Sequence, residues 1–131
     1  MSQNNLQIVE GVLEAWRDGS LADSDLLDPT AVWVNPPDAI ERGIRSGADS
    51  YVAAGEAVRT AFEDARIDLD ALTEAEDRVI GVGTLRGRGR ESGVDIERSV
   101  SLIWTIADGR IVRFEWSFGP GAALQAAQRR D

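Results

Sequence analysis

At 131 residues, 43% of them hydrophobic, the chain is long enough to bury one domain core, and it has no apolar run near the ~18 residues that a membrane span requires. It contains no His, no Cys and no Lys, and all 14 basic residues are Arg. This excludes imidazole bases, Schiff-base lysines, cysteine nucleophiles, disulfides and His/Cys metal sites, and the net charge of −9 argues against a nucleic-acid partner.

Residues 5–18 read as an amphipathic helix. Leu6, Val9, Val12 (or Leu13) and Trp16 fall on one stripe, and Gly19 supplies the stop. Residues 21–27 read as a second short helical turn ended by Pro29. A strand is predicted over residues 31–35, terminated by Pro36-Pro37, and a loop over residues 38–47. A helix returns over residues 48–64, with Tyr51, Gly55, Val58 and Phe62 along one stripe. Residues 67–72 read as a strand, 74–77 as a polar turn, and 79–90 as a strand that runs into a glycine-rich hairpin at 87–93.

The last third carries the clearest signal. Val94, Ile96, Val100, Leu102, Trp104 and Ile106 keep a period of two, as do Val112, Phe114, Trp116 and Phe118 after an Asp108-Gly109 pair. Period two is a strand with one buried face, and Asp-Gly between two such runs predicts a type I′ hairpin turn. Gly119-Pro120-Gly121 then breaks the chain before a short helical tail at 122–130. The fold class is therefore α+β in one domain over residues 1–131, with helices against one face of an antiparallel sheet.

The opposite face of that sheet carries Ile80, Val82 and Ile103 among Thr84 and Ser101. A half-apolar outer face predicts a partner, most simply a homodimer. Arg86-Gly87-Arg88-Gly89-Arg90 lacks interleaved aromatics and reads as a twisted hairpin end rather than an RNA segment. Gly81-Val82-Gly83 does not make a dinucleotide fingerprint, because no helix follows it. Residues 1–5 carry no basic residue and no apolar stretch follows them, so no secretory signal is expected. Without Cys, the expected compartment is the cytoplasm, with no membrane and no nucleic acid as partner.

Three segments carry a family resemblance: Ala15-Trp16-Arg17-Asp18-Gly19, Arg42-Gly43 to Gly47 before the long helix, and Ile103-Trp104-Thr105-Ile106-Ala107-Asp108-Gly109-Arg110-Ile111-Val112. With the element order, they resemble the NTF2-like superfamily in its SnoaL-like branch, over nearly the whole chain. The resemblance implies a cone-shaped, curved, antiparallel or mixed sheet wrapped by about three helices around an apolar pocket. It also implies dimers through the convex face. Ketosteroid isomerases, polyketide cyclases, limonene-epoxide hydrolases, scytalone dehydratases and many non-enzymes share that fold, so the fold does not settle the activity.

The resemblance places known catalytic groups at definite positions, and this chain departs from them. Where the ketosteroid isomerases carry an oxyanion-donating Tyr, a general-base Asp and a protonated Asp, this chain has Val12, Asn35 and about Leu102. Where the epoxide hydrolases carry their Arg and two Asp, it reads about Gly83, Leu85 and Trp116. Scytalone dehydratase and the polyketide cyclases use His, which is absent here. An amide cannot accept a substrate proton, and Val and Leu cannot stabilise an enolate.

On this register the pocket is lined by Val12, Trp16, Trp33, Leu85, Leu102, Trp104, Phe114, Trp116 and Phe118, an apolar aromatic site for a small flat hydrophobic ligand. The same residues also serve as ordinary core. Asn35 either orients a ligand oxygen or turns the strand end. Arg98, the charged residue in the inward row, either pairs an anion or keeps its head in water at the rim. Tyr51 either reaches the pocket or belongs to a core stripe. Acid–base chemistry would fall to a carboxylate among Asp38, Glu41, Asp68, Asp70 and Glu115, with Glu115 facing outward. No cofactor is expected. Two functions remain open: a carboxylate-dependent isomerase, cyclase, dehydratase or hydrolase acting on a hydrophobic metabolite, and a non-catalytic ligand-binding or dimerisation domain.

Overall fold

The computed structural model describes residues 5–36 and 43–128, with side chains in the last helix as far as Gln125. Helix α1, Asn5–Asp18, precedes a 3₁₀ turn at Leu21–Asp23 and strand β1, Leu27–Asn35. A short strand β2, Gly43–Ser46, leads into helix α2, Ala48–Ala61. Four strands follow, β3 (Phe62–Ala75), β4 (Arg78–Gly89), β5 (Asp95–Ala107) and β6 (Arg110–Phe118), and then helix α3, Gly121–Gln128. Among the described residues the strands form one six-stranded sheet in the order β2-β1-β6-β5-β4-β3. The β1–β6 pair is parallel and the other pairs are antiparallel, so the sheet is mixed. No helix among the described residues is long and apolar enough to cross a membrane.

Helix α1 forms where the apolar stripe predicts it and buries Ile8, Val9, Val12, Ala15 and Trp16. Gly19, at φ +80°, closes it. The Gly19 N–H donates to Trp16 O at 3.3 Å and the Ser20 N–H to Ala15 O at 2.9 Å, the paired bonds of a Schellman cap. The Asp108-Gly109 turn has φ of 53° and 78°, the two positive values that a type I′ turn requires.

Several boundaries differ from the sequence reading. Strand β1 begins at Leu27, before Pro29 rather than after it, and its pairing with β6 is irregular between Leu27 and Val32, which accommodates the proline. Residues 43–46 are an edge strand on β1, not loop. Helix α2 stops at Ala61, and β3 starts at the next residue and runs 14 residues. On β6, the pairs Thr105↔Arg113 and Ile106↔Ile111 leave Val112 as the extra residue of a β-bulge. The bulge turns Ile111 inward in place of Val112, and Ile111 is fully buried.

Curvature comes from β3. Its register against β4 slips by one residue between Glu63 and Arg66 and again between Leu69 and Ala71. Bulges bend and twist a strand, and two on one strand fold the sheet over its concave face. There it meets α1 and α2, with Trp104, Ile8, Val9, Val79 and Ile111 at the bottom of the core.

On the convex face, α3 packs over Ile80, which it buries with Ala123 beside Ala75, Val82 and Ile103. Ser101 is 1% exposed and ties the helix down. Its Oγ donates to Gly119 O at 2.6 Å and accepts from the Ala123 N–H at 3.1 Å. That part of the outer face needs no second copy of the chain to cover Ile80.

Candidate functional site

The concave side holds two adjoining cavities. The inner one, about 90 Å³, lies between α1, α2 and the sheet and is walled by Val12, Trp16, Tyr51, Leu102, Trp104 and Phe114 among other apolar residues. The outer one is a larger cleft of about 770 Å³. Its walls are the Ala54–Ala61 side of α2, Phe62, Leu85, Ile96, Phe118, Asn35, Arg45 and Arg98. Trp33, Val58, Leu85 and Trp116 line both.

Strand register explains the convergence. Trp33 on β1 stands opposite Phe114 on β6, Phe114 opposite Trp104 on β5, and Trp116 opposite Leu102. The rings interlock at centroid distances of 4.8 Å for Trp33–Phe114, 5.3 Å for Trp104–Phe114 and 5.2 Å for the edge-on Trp33–Tyr51 pair. These are the tilted and edge-to-face arrangements that the ring quadrupole favours. Trp16 is anchored from α1 by its indole N–H, which donates to Gly55 O at 2.9 Å. A Cβ at Gly55 would lie 3.2 Å from that indole, so the glycine lets the ring approach α2.

Asn35, half-buried at the end of β1, is the polar centre of the cleft. Its Oδ1 accepts two indole N–H groups, from Trp33 at 2.7 Å and from Trp116 at 2.9 Å. An indole is a donor and not an acceptor, so the two tryptophans fix which end of the amide is the oxygen. The Nδ2 group, with two N–H donors, is left for other acceptors.

Tyr51 is 2% exposed. Burial pushes its phenol well above the ordinary value of 10.0, against a smaller downward pull from the Trp104 hydrogen bond. It is a neutral phenol at any physiological pH, and it lines the inner cavity as well as the core.

Arg98 lies at the far end of the cleft with its guanidinium carbon 4.1 Å from the Phe118 ring centroid. Phe118 in turn stands edge-on to Trp116 at 5.1 Å.

All nine candidate residues thus border one cavity or the other. Val12, Trp16, Tyr51, Leu102 and Phe114 lie on the inner one, Asn35 and Arg98 on the outer one, and Trp33 and Trp116 on both. The carboxylate candidates do not gather there. Asp68 pairs with Arg86 at 2.7 Å and Glu115 with Arg113 at 3.1 Å, and Asp70 is exposed. Asp38 and Glu41 lie outside the described residues. Among the described residues no cluster of three His, Cys, Asp or Glu could hold a metal ion. Sequence reasoning missed Arg45, which shares a face with Trp33 through the β1–β2 pairing. Reading residues 43–46 as loop hid it.

The sequence matches the family described as SnoaL-like domain over residues 9–114. No curated protein matches the chain. Solved structures share the fold. An NTF2-like protein of unknown function from Burkholderia pseudomallei is 24% identical, with 98% of this chain and 100% of that one covered at a TM-score of 0.76. A candidate SnoaL-like polyketide cyclase from Jannaschia sp. CCS1 is 14% identical, with 100% and 99% covered and a TM-score of 0.77. TerC, co-crystallised with polyporic acid, is 21% identical, with 95% and 98% covered and a TM-score of 0.72. The chain belongs to the SnoaL-like domain family, on the NTF2-like fold.

Proposed function

We propose that this SnoaL-like domain binds a small, flat, hydrophobic molecule in the aromatic cleft, with the Asn35 amide donating to a neutral oxygen of that molecule. The observation that carries this reading is the double indole clamp on Asn35 Oδ1, which presents Nδ2 as a fixed donor beside apolar rings. A cleft of about 770 Å³ is of the size that small-molecule sites take. TerC, a structural neighbour, was co-crystallised with polyporic acid, which supports a small-molecule role for the scaffold.

The second reading is carboxylate-dependent turnover of the same ligand, as isomerisation, cyclisation, dehydration or hydrolysis. The cyclase description of the Jannaschia neighbour favours it. It needs an Asp or Glu at the ligand, and among the described residues lining the cleft there is none. Asp38 and Glu41 are its candidates.

The test uses 2-tetralone, a flat bicyclic ketone with exchangeable α-protons. It should quench the tryptophan fluorescence saturably, and Asn35→Leu should weaken binding about five-fold, the cost of one hydrogen bond. Quenching that never saturates, or that Asn35→Leu leaves untouched, refutes the binding site. Deuterium uptake from D₂O, followed by NMR, separates the two readings. Binding alone leaves exchange at the buffer rate. Acceleration that an Asp38→Asn/Glu41→Gln variant abolishes establishes carboxylate catalysis instead.

A further inference from the structure

Among the described residues, the lining of the outer cleft carries arginine and no acid, whereas the chain as a whole is acidic. The sequence holds 23 acidic and 14 basic residues. Among the described residues that line the cleft there are two guanidinium groups, Arg45 and Arg98, and no carboxylate. Within that lining the Arg98 guanidinium offers a local partner to an anion, in a chain whose net charge of −9 otherwise repels one.

Three arginines on neighbouring positions of the sheet are neutralised. Arg86 pairs with Asp68 and Glu97, Arg88 with Asp95, and Arg113 with Glu115. Arg98 is placed differently. Its neighbour Glu97 turns to the other face of β5 to meet Arg86, and its cross-strand partner is Leu85. Among the described residues no carboxylate lies at ion-pair distance from it. Its guanidinium rests instead on Phe118, 4.1 Å from the ring centroid. Such a contact restrains the side chain and leaves its N–H groups for oxygen acceptors.

The contacts run in a continuous line across the cleft floor. Arg98 lies on Phe118, Phe118 meets Trp116 edge-on at 5.1 Å, and the Trp116 indole donates to Asn35 at 2.9 Å. Two aromatic rings therefore separate a charged donor from a neutral one.

From this arrangement we infer that the cleft selects an aromatic acid. The ring lies against Trp116 and Phe118, a carboxylate or equally acidic oxygen meets the Arg98 guanidinium, and the neutral oxygen meets Asn35. This rests on the ligand-binding reading above and adds the anionic end of the ligand. An uncharged ligand would leave the Arg98 donors to water, so the acid is bound more tightly than its neutral analogue.

The probes are 2-naphthoate and 2-naphthamide, which share a ring system and differ in charge. Each is titrated into the full chain at low salt, with binding read by calorimetry and tryptophan quenching. The acid should bind about five-fold more tightly than the amide, the scale of one charge-assisted pair at a partly exposed site. The ratio should shrink as ionic strength rises, because the pair is open to solvent. Arg98→Gln should bring the ratio to about one, whereas Arg110→Gln, at the exposed hairpin turn, should leave it in place. Circular dichroism of both variants checks the fold. Equal affinities in the unaltered protein, or an acid preference that survives Arg98→Gln, overturn the inference while the ligand-binding reading stands. Failure of both naphthyl probes and of 2-tetralone overturns the reading and the inference together.

Discussion

Trp33 and Trp116, on neighbouring parallel strands, donate to the same atom: Asn35 Oδ1 accepts both indole N–H groups, at 2.7 and 2.9 Å. One side-chain oxygen thereby sets the orientation of two rings that line both cavities. The same bonds decide what Asn35 can do. It is held as a donor and has no basic site.

Replacing Asn35 separates the clamp from the donor. Asn35→Leu leaves two partly buried indole N–H groups without their acceptor and should cost about 1–2 kcal/mol. Asn35→Asp keeps both bonds, now to a carboxylate, and should be near wild-type at neutral pH. Bonds from two N–H groups favour the charged form and lower the folded-state pKa of the introduced group below its unfolded value of about 3.9. Its stabilisation is present above that value and lost as pH falls through the folded pKa. Urea unfolding at pH 7 and in mild acid checks this. Equal stability of both variants at pH 7 would mean that the indoles do not depend on Asn35.

Tyr51 controls the alkaline limb of stability. The chain has one Tyr and no His, Cys or Lys, so no other side chain titrates between about pH 7 and pH 12. Burial raises the Tyr51 pKa above its ordinary 10.0. A raised pKa gives stability that is complete below the unfolded value and is lost as pH climbs above it, because only the unfolded chain ionises there. Tyr51→Phe removes that dependence together with a buried hydroxyl. The variant should be about 1–2 kcal/mol less stable at pH 7 yet decline less from pH 9 to pH 11. Parallel pH profiles of the two proteins in urea would refute a buried neutral phenol.

Much of this was legible in the chain. The Asp108-Gly109 hairpin and the α1 stripe depend on neighbours in sequence, and both formed as read. The Val112 bulge did not show, because it is set by what lies across on β5. Strand β2 has four residues and no alternation, and it exists only through its pairing with β1. Asn35, Trp33 and Trp116 were each legible as site residues. Their shared oxygen was not, since Trp116 lies 81 residues from Asn35.

Gly81-Val82-Gly83 has its explanation in the sheet rather than in a ligand. A Cβ on Gly83 would stand 2.6 Å from Asp68 O and 3.1 Å from Leu69 Cα, both backbone atoms beside the second bulge of β3. Backbone in a paired strand cannot yield as a side-chain tip can. Gly83→Ala should therefore cost about 2–3 kcal/mol through overpacking. Gly93, at φ +70° with nothing within 4 Å, should cost only about 1 kcal/mol when changed to Ala, from backbone strain alone. Chemical denaturation of the two variants ranks them. The reverse order would remove close approach as the reason for the glycine.

Ser101 is the counterpart of Asn35 on the convex face. The first N–H groups of a helix have no partner within it, and Ser101 Oγ supplies one for Ala123 while donating to Gly119 O just before α3. Ser101→Ala removes both bonds without adding bulk and should cost about 1–2 kcal/mol. The loss should be local. Amide exchange in α3 should accelerate well before exchange in β4 and β5, because the helix can lift from Ile80 without disturbing the sheet beneath it. A variant in which α3 and the central strands accelerate together would show that the helix is integral to the sheet's stability rather than latched to its surface.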